Sequence, residues 1–375
     1  MRSPSTSTPS ILFRITAVAV ALLIVGCDGA STGSSSNNNN NGGGSDSGTF
    51  TTSNCTIPTD RIVTGCNGAD CIPSIDGITP GDDRLVSGNP RGLGDSDRVI
   101  GLVFDGQAMA VPLSILWTHE IVNVDEWGGR RFAVTYCPLT GSSLAFDRRP
   151  LDGAELGVSG LLFNNNLVMY DRRDETSLWP QMSRRATCGA NIGTDLSMLP
   201  VVEMRWGRWQ ELHPETQIVS DGNTDFDRSY PYGNYRAPDS NPLIRMPVDD
   251  RRPPKELVLG IPINSVGGLA LPFGEFEDGM NAQVVTVTVG ATEKIVFWRR
   301  DAQTAMAFET SRTFSVQNGE IVDEETGSVW SVEGRAIEGP LAEQNAQLTQ
   351  VESAYVSFWF AWAAFQPETQ IWERS

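Results

Sequence analysis

Three side chains carry most of the reactive chemistry in this sequence: His119, Cys137 and His213. Two imidazoles and a thiolate, joined by a thioether from Met169 or Met182, make the ligand set of a copper centre; with one position left open they suit zinc. The same cysteine, paired with a histidine base that a carboxylate such as Glu120 orients, is the outline of a thiol enzyme. If the three stay apart, the histidines brace helix ends and Cys137 is an inert buried thiol. The chain is then a non-catalytic binding or scaffold module. Their separations along the chain match no metal or protease signature, so only folding could bring them together. Two weaker patterns stand beside them. Asp221-Gly-Asn223-Thr-Asp225-Phe-Asp227 alternates oxygen ligands as calcium loops do, but lacks the sixth-position glycine and the twelfth-position glutamate, and reads as a polar linker. Asp171, Arg172 and Arg173 follow a strand pattern and read as solvated surface charge.

An internal pattern singles out the three residues. Trp206-Gly-Arg-Trp209 through His213-Pro214-Glu215-Thr216-Gln217-Ile218 recurs as Trp359-Phe-Ala-Trp362 through Gln366-Pro367-Glu368-Thr369-Gln370-Ile371. Asp174-Glu175-Thr176 through Trp179 is echoed by Glu324-Glu325-Thr326 through Trp330, Val134 to Asp147 by Val296 to Glu309, and Val99 to Pro112 by Val258 to Pro272. Four matches in chain order predict a duplicated body. His213 falls opposite Gln366, Cys137 opposite Arg299, and His119 opposite the acidic stretch from Glu275 to Asp278. Reactive side chains confined to one copy are the natural candidates for a site. The first copy also has extra residues around Gly157 to Asn166, a place for a loop over a cleft.

The elements that must position these groups are short strands with a few helices. Val99 to Phe104, the turn Asp105-Gly106 and Gln107 to Val111 predict a hairpin. Arg131 to Tyr136, Leu144 to Asp147 and Leu167 to Tyr170 predict further strands, as do Val284 to Val289 and Lys294 to Trp298. Leu113 to Val122, Met204 to Leu212 and Glu352 to Phe365 have helical spacing, the last two stopped by Pro214 and Pro367. The expected fold is α+β and strand-rich: two tandem related subdomains, 53–253 with the candidate site and 254–375, packed together.

The N-terminal segment sets the compartment. Arg2 and Arg14 precede an apolar run from Ile15 to Val25, too short to span a bilayer but fit for a secretory signal over 1–26. Ile24-Val25-Gly26-Cys27 resembles a lipobox, in which Cys27 is acylated and holds the protein to a bacterial membrane. Asp28 after it resembles an inner-membrane retention signal. Residues 27–52, rich in Ser, Asn and Gly, then read as a disordered tether. The expectation is an extracytoplasmic lipoprotein of the cell envelope. A net charge of −18 argues against nucleic acid as a partner and leaves membrane contact to the lipid. Basic residues are nearly all arginine; Lys255 and Lys294 are the only lysines. Six cysteines in an exported chain suggest disulfides. With Cys27 lipidated, Cys66 and Cys71 frame a turn and make a plausible short bridge, Cys55 with Cys188 is a possible second, and Cys137 is then the remaining thiol.

Several blocks together resemble a known family. They are His119-Glu120-Ile121-Val122-Asn123, Thr135-Tyr136-Cys137-Pro138-Leu139-Thr140-Gly141, Gly157 to Leu162 with Asn166 to Arg172, Ser177-Leu178-Trp179, and His213-Pro214-Glu215-Thr216. From about Cys71 to Trp372 the chain is similar to the bacterial domain-of-unknown-function family 3179. The resemblance implies a widespread, often exported domain with no assigned activity. Many members of that family carry a second cysteine where this chain has Thr140, and a histidine where it has Gln366; the missing C-x-x-C argues against a dithiol redox role here.

Overall fold

Two tryptophans lying flat over two glycines organise the chain. In the computed structural model, which describes residues 50, 52, 54–276 and 279–374, Arg98–Phe104 pairs antiparallel with Gln107–Pro112 through the turn Asp105-Gly106, whose φ angles are 48° and 72°. Helix Trp206–Leu212 covers this hairpin, and a Cβ at Gly101 would stand 2.1 Å from the Trp209 ring. Only glycine admits that approach. The second hairpin, Leu257–Pro262 with Gly268–Pro272, is covered by helix Trp359–Phe365 in the same way, with Gly260 under Trp362 at 2.1 Å. Each indole N–H is satisfied by the threonine seven residues on, Trp209 by Thr216 (3.0 Å) and Trp362 by Thr369 (2.8 Å).

The described residues form six sheets. One set of three runs through the first part of the chain. Val202–Arg205, the first hairpin, Gln217–Val219 and Leu85–Val86 make a five-stranded sheet. Met198–Leu199, Ser142–Asp147, Arg130–Cys137, Ile121–Trp127 and Ile75–Ile78 make another, and Ile62–Thr64, Leu156–Phe163, Asn166–Asp171 and Leu178–Pro180 a third. The second set follows the same order, its first two sheets without the outermost strands Leu85–Val86 and Ile75–Ile78, and its third without a counterpart of Ile62–Thr64 but with Ala336–Glu338 added. It comprises Tyr355–Phe358, the second hairpin and Gln370–Ile371; Ala282–Val289, Thr292–Arg299, Thr304–Glu309 and Thr349–Gln350; and Phe314–Gln317, Glu320–Asp323, Val329–Trp330 and Ala336–Glu338. In both, the strand after the covering helix joins its hairpin in parallel, Gln217 beside Met109 and Gln370 beside Leu269.

The two sets are interleaved. One apolar cluster joins Met109, Trp206 and Trp209 to Phe297, Phe308 and Trp330; another joins Phe146, Met169 and Trp179 to Val258, Trp359 and Trp362. Each hairpin sheet therefore shares an apolar cluster with residues of the opposite half of the chain as well as its own. A third cluster, around Leu271 and Trp298, lies within 254–375. The exchange is fixed by matched hydrogen bonds: Arg205 N–H donates to the Ala302 carbonyl (2.9 Å) and Phe358 N–H to the Thr140 carbonyl (2.8 Å). Arg98 adds a bond to the Gln303 carbonyl (3.0 Å). Residues 47–375 form one compact unit.

The fold is strand-rich, as expected, but three predicted helices are shorter than their periodicity suggested. Leu113–His119 is helical, and then Glu120, at φ 56°, turns the chain into strand Ile121–Trp127. Met204 and Arg205 pair with Val99 and Arg98, so that helix begins at Trp206; Tyr355–Phe358 likewise pairs with Leu257–Gly260. In these runs tertiary strand pairing overrides helical spacing. The stretch from Gly157 to Asn166 is not a loop over a cleft: it is strand Leu156–Phe163 with a tight turn at Asn164 and Asn165, both at positive φ. Asp221 to Asp227 is a chain of turns, each side chain accepting the backbone N–H two residues on. Disulfides join Cys66 to Cys71 and Cys55 to Cys188, leaving Cys137 free and buried. The signal, Cys27 and nearly all of the tether lie outside the described residues.

Because a methyl group at either glycine would meet an indole ring held on both faces, Gly101→Ala and Gly260→Ala should each destabilise the protein by about 1–3 kcal/mol or more, measured as a lowered denaturant midpoint at unchanged slope.

Candidate functional site

Cys137 ends strand Arg130–Cys137, and the backbone then reverses, with the N–H groups of Thr140 and Gly141 returning to the Cys137 carbonyl (3.2 and 2.8 Å). The thiol is fully buried behind the Asn164-Asn165 turn, donating to the Asn165 carbonyl (3.6 Å) and accepting from Leu167 N–H (3.3 Å). Burial, with Glu120 nearby, pushes the thiol up to about 11. It is a neutral group at pH 7, unlike a nucleophile or a metal-bound thiolate. The surrounding motif residues complete a buried polar web. Asn166 donates to Thr140 (3.0 Å) and Gln181 (2.9 Å), and Gln181 to Thr135 (2.9 Å). Thr140 thus occupies a structural place in this web. Met169 is fully buried in the same apolar cluster, paired across the sheet with Trp179.

Glu120 is the strained member of this region. It is 4% exposed, at φ 56°, and burial alone pushes its carboxyl up to about 8. A buried acid on an unfavourable backbone is the pattern expected where function opposes stability.

The two histidines have other partners. His119 donates through Nδ1 to the Pro73 carbonyl (2.8 Å) and faces Asp221 at 3.4 Å, a carboxylate also held by Arg228. His213 follows helix Trp206–Leu212, lies against the Trp209 ring at 4.1 Å, and presents Nε2 to both oxygens of Glu333 at 2.8 and 2.9 Å. Among the described residues no group of three or more His, Cys, Asp and Glu side chains stands close enough to hold a metal ion. The structure therefore places His119, Cys137 and His213 in three separate settings, with Glu120 beside Cys137.

His213 is nevertheless at a cleft. With Glu333 it lines a cavity of about 370 Å³, and on its other side, beside Trp127 and Thr216, a second of about 410 Å³. The first has apolar walls, including Leu102, Val103 and Leu348, and polar groups from Arg335, Gln347 and Gln350. Its volume falls in the range of small-molecule sites. Glu333 and Arg335 come from the opposite half of the chain, which is why inspection of the sequence could not join them to His213.

Lys255 was also missed. It is 4% exposed and sits beneath a tyrosine-rich segment, Tyr230 to Arg236, whose Tyr235 hydroxyl donates to the Leu139 carbonyl just beyond Cys137 (2.8 Å). The signal was its rarity, as one of two lysines in an arginine-rich chain.

The sequence pattern of the family described as "Protein of unknown function (DUF3179)" matches residues 69–369. The chain belongs to this family. The match to DUF3179 covers both sets of sheets except the strands Ile62–Thr64 and Gln370–Ile371, and both covering helices. No curated protein and no solved structure matches the chain.

Two outcomes follow from this geometry. Folding raises the Glu120 pKa from 4.5 to about 8, so between those values the folded state holds a proton that the unfolded chain releases. Stability should fall as pH rises through that window, by on the order of 1–4 kcal/mol. Denaturation of Glu120→Gln across the same range should be flatter. Cys137→Ser should leave copper and zinc content unchanged in elemental analysis of purified protein.

Proposed function

We propose that this chain is a lipid-tethered binding module of the bacterial cell envelope, and that its ligand site is the cleft at His213. The tether reading rests on the signal-like 1–26, the lipobox ending at Cys27 and the Ser/Asn/Gly stretch that follows. No helix among the described residues is long and apolar enough to cross a membrane. The body is read as an internal duplication, supported by the matched sheet orders, the paired Trp-over-Gly contacts and the exchanged hydrogen bonds.

The observation that carries the binding reading is the His213–Glu333 pair set into the wall of the 370 Å³ cleft. The corresponding residue of the second copy is Gln366, so the duplication kept the scaffold and placed an imidazole on one side only. Glu333 fixes the ring through Nε2, and Arg335 and two glutamines add polar groups above the apolar walls. Such a lining suits a small amphipathic molecule with an anionic or hydrogen-bonding head and an apolar body. Binding is favoured over thiol catalysis because the Cys137 thiol is neutral, hydrogen-bonded and enclosed.

An amphipathic anion, anilinonaphthalene sulfonate, tests this on the compact unit 47–375. It should bind at one site with a rise in fluorescence. Val103→Arg, at a cleft residue that is 41% exposed, should abolish that site, and His213→Gln should weaken it. Equal binding by both variants and the parent would sink the assignment.

A further inference from the structure

Lys255 is independent of that cleft and has no role in it. Its Nζ has no hydrogen-bond partner among the described residues, although the residue is 4% exposed. Aromatic rings surround it: Tyr235 at 3.5 Å, Phe360 at 4.2 Å and Phe358 at 5.3 Å from nitrogen to ring centre. The backbone is pinned on either side, Lys255 N–H to the Pro238 carbonyl (3.0 Å) and Phe360 N–H to the Pro254 carbonyl (3.0 Å). None of the acidic side chains among the described residues forms a salt bridge with this amine. Among the described residues the titratable groups that face it are Tyr235 and the Cys137 thiol.

A cation buried for structure alone is ordinarily given a carboxylate. If the rings were enough, arginine would serve as well, since it stacks on aromatic faces and stays charged. This chain uses arginine nearly everywhere else. Lysine differs in one chemical respect: it can shed its proton and become a nucleophile when desolvated. Burial pushes the Lys255 ammonium down to about 7, so a large share is free amine at neutral pH.

We propose that Lys255 is the reactive amine of a second, enclosed site that takes a small apolar aldehyde as an imine. The Nζ lone pair adds to the carbonyl carbon, and the C=O π pair moves to oxygen. A proton passes from nitrogen to that oxygen to give a carbinolamine. The C–O bond then breaks and oxygen leaves as water, taking the remaining nitrogen-bound proton, while nitrogen and carbon form the C=N bond. No oxidant or reductant is needed. The rings that strip water from the amine also accept the apolar body of the aldehyde, which reaches it when the segment from Tyr230 to Arg236 lifts.

The presence of only two lysines makes the test direct. The full chain is treated with butanal and cyanoborohydride at pH 7, and the alkylated lysines are located by peptide mass mapping. Lys294, ion-paired with Glu309 at 2.6 Å, is the internal reference. Product at Lys255 should accumulate roughly tenfold or more faster than at Lys294 at pH 7, and its rate should level off above that pH. Lys255→Arg should remove the fast product. Reaction at Lys294 alone, comparable rates at the two lysines, or labelling of Lys255 only after denaturation would each overturn the proposal. If Lys255→Arg fails to fold, the ratio of the two lysines in the parent protein decides.

Discussion

The contact on which the rest depends is an indole ring pressed against a bare α-carbon. Trp209 over Gly101 and Trp362 over Gly260 bring each covering helix closer to its hairpin than any side chain at those positions would permit. The tryptophans are fully buried, and each carries a large apolar area with one polar handle, which the following threonine satisfies. That closeness fixes where each helix ends. His213 and Gln366 sit at those ends, so the packing of a tryptophan determines where the imidazole beside the cleft stands.

The second constraint is exchange. Each hairpin sheet shares an apolar cluster with the other half of the chain, and the exchanged hydrogen bonds from Arg205 and Phe358 land on the Ala302 and Thr140 carbonyls. Such a body has few independent parts. It also builds sites from residues distant in sequence: Glu333 meets His213, and Phe358 and Phe360 meet Lys255 beneath Tyr235.

What could be read from the residues, and what could not, divides along the same line. The first hairpin was legible because Asp105-Gly106 punctuates alternating apolar runs, and the family resemblance rested on blocks that do form buried networks, such as Thr135, Thr140 and Asn166 with Gln181. The starts of two helices were not, because Tyr355–Phe358 and Val202–Arg205 pair as strands only when a partner strand far along the chain is present. The grouping of His119, Cys137 and His213 assumed that residues missing from one copy share one place. Instead they occupy three environments: His119 against Pro73 and Asp221, Cys137 behind the Asn164-Asn165 turn, and His213 against Glu333 from the opposite half. Lys255 escaped notice because burial of a charged side chain without a counter-ion has no local sequence signature.

Interleaving also has a kinetic side. When the ribosome has made everything up to Pro253, Trp206 and Trp209 still lack Phe297, Phe308 and Trp330, so the cluster that holds the first hairpin is incomplete. Contacts that join residues so far apart are slow to form, because long loops must close before any core is rewarded. The nascent first half is therefore a sticky, unfinished surface that must wait for the last helix, Trp359–Phe365, before the molecule can close. A chain with that history gains from being guarded by chaperones until its C-terminus arrives, and truncation near the end should be as damaging as truncation in the middle.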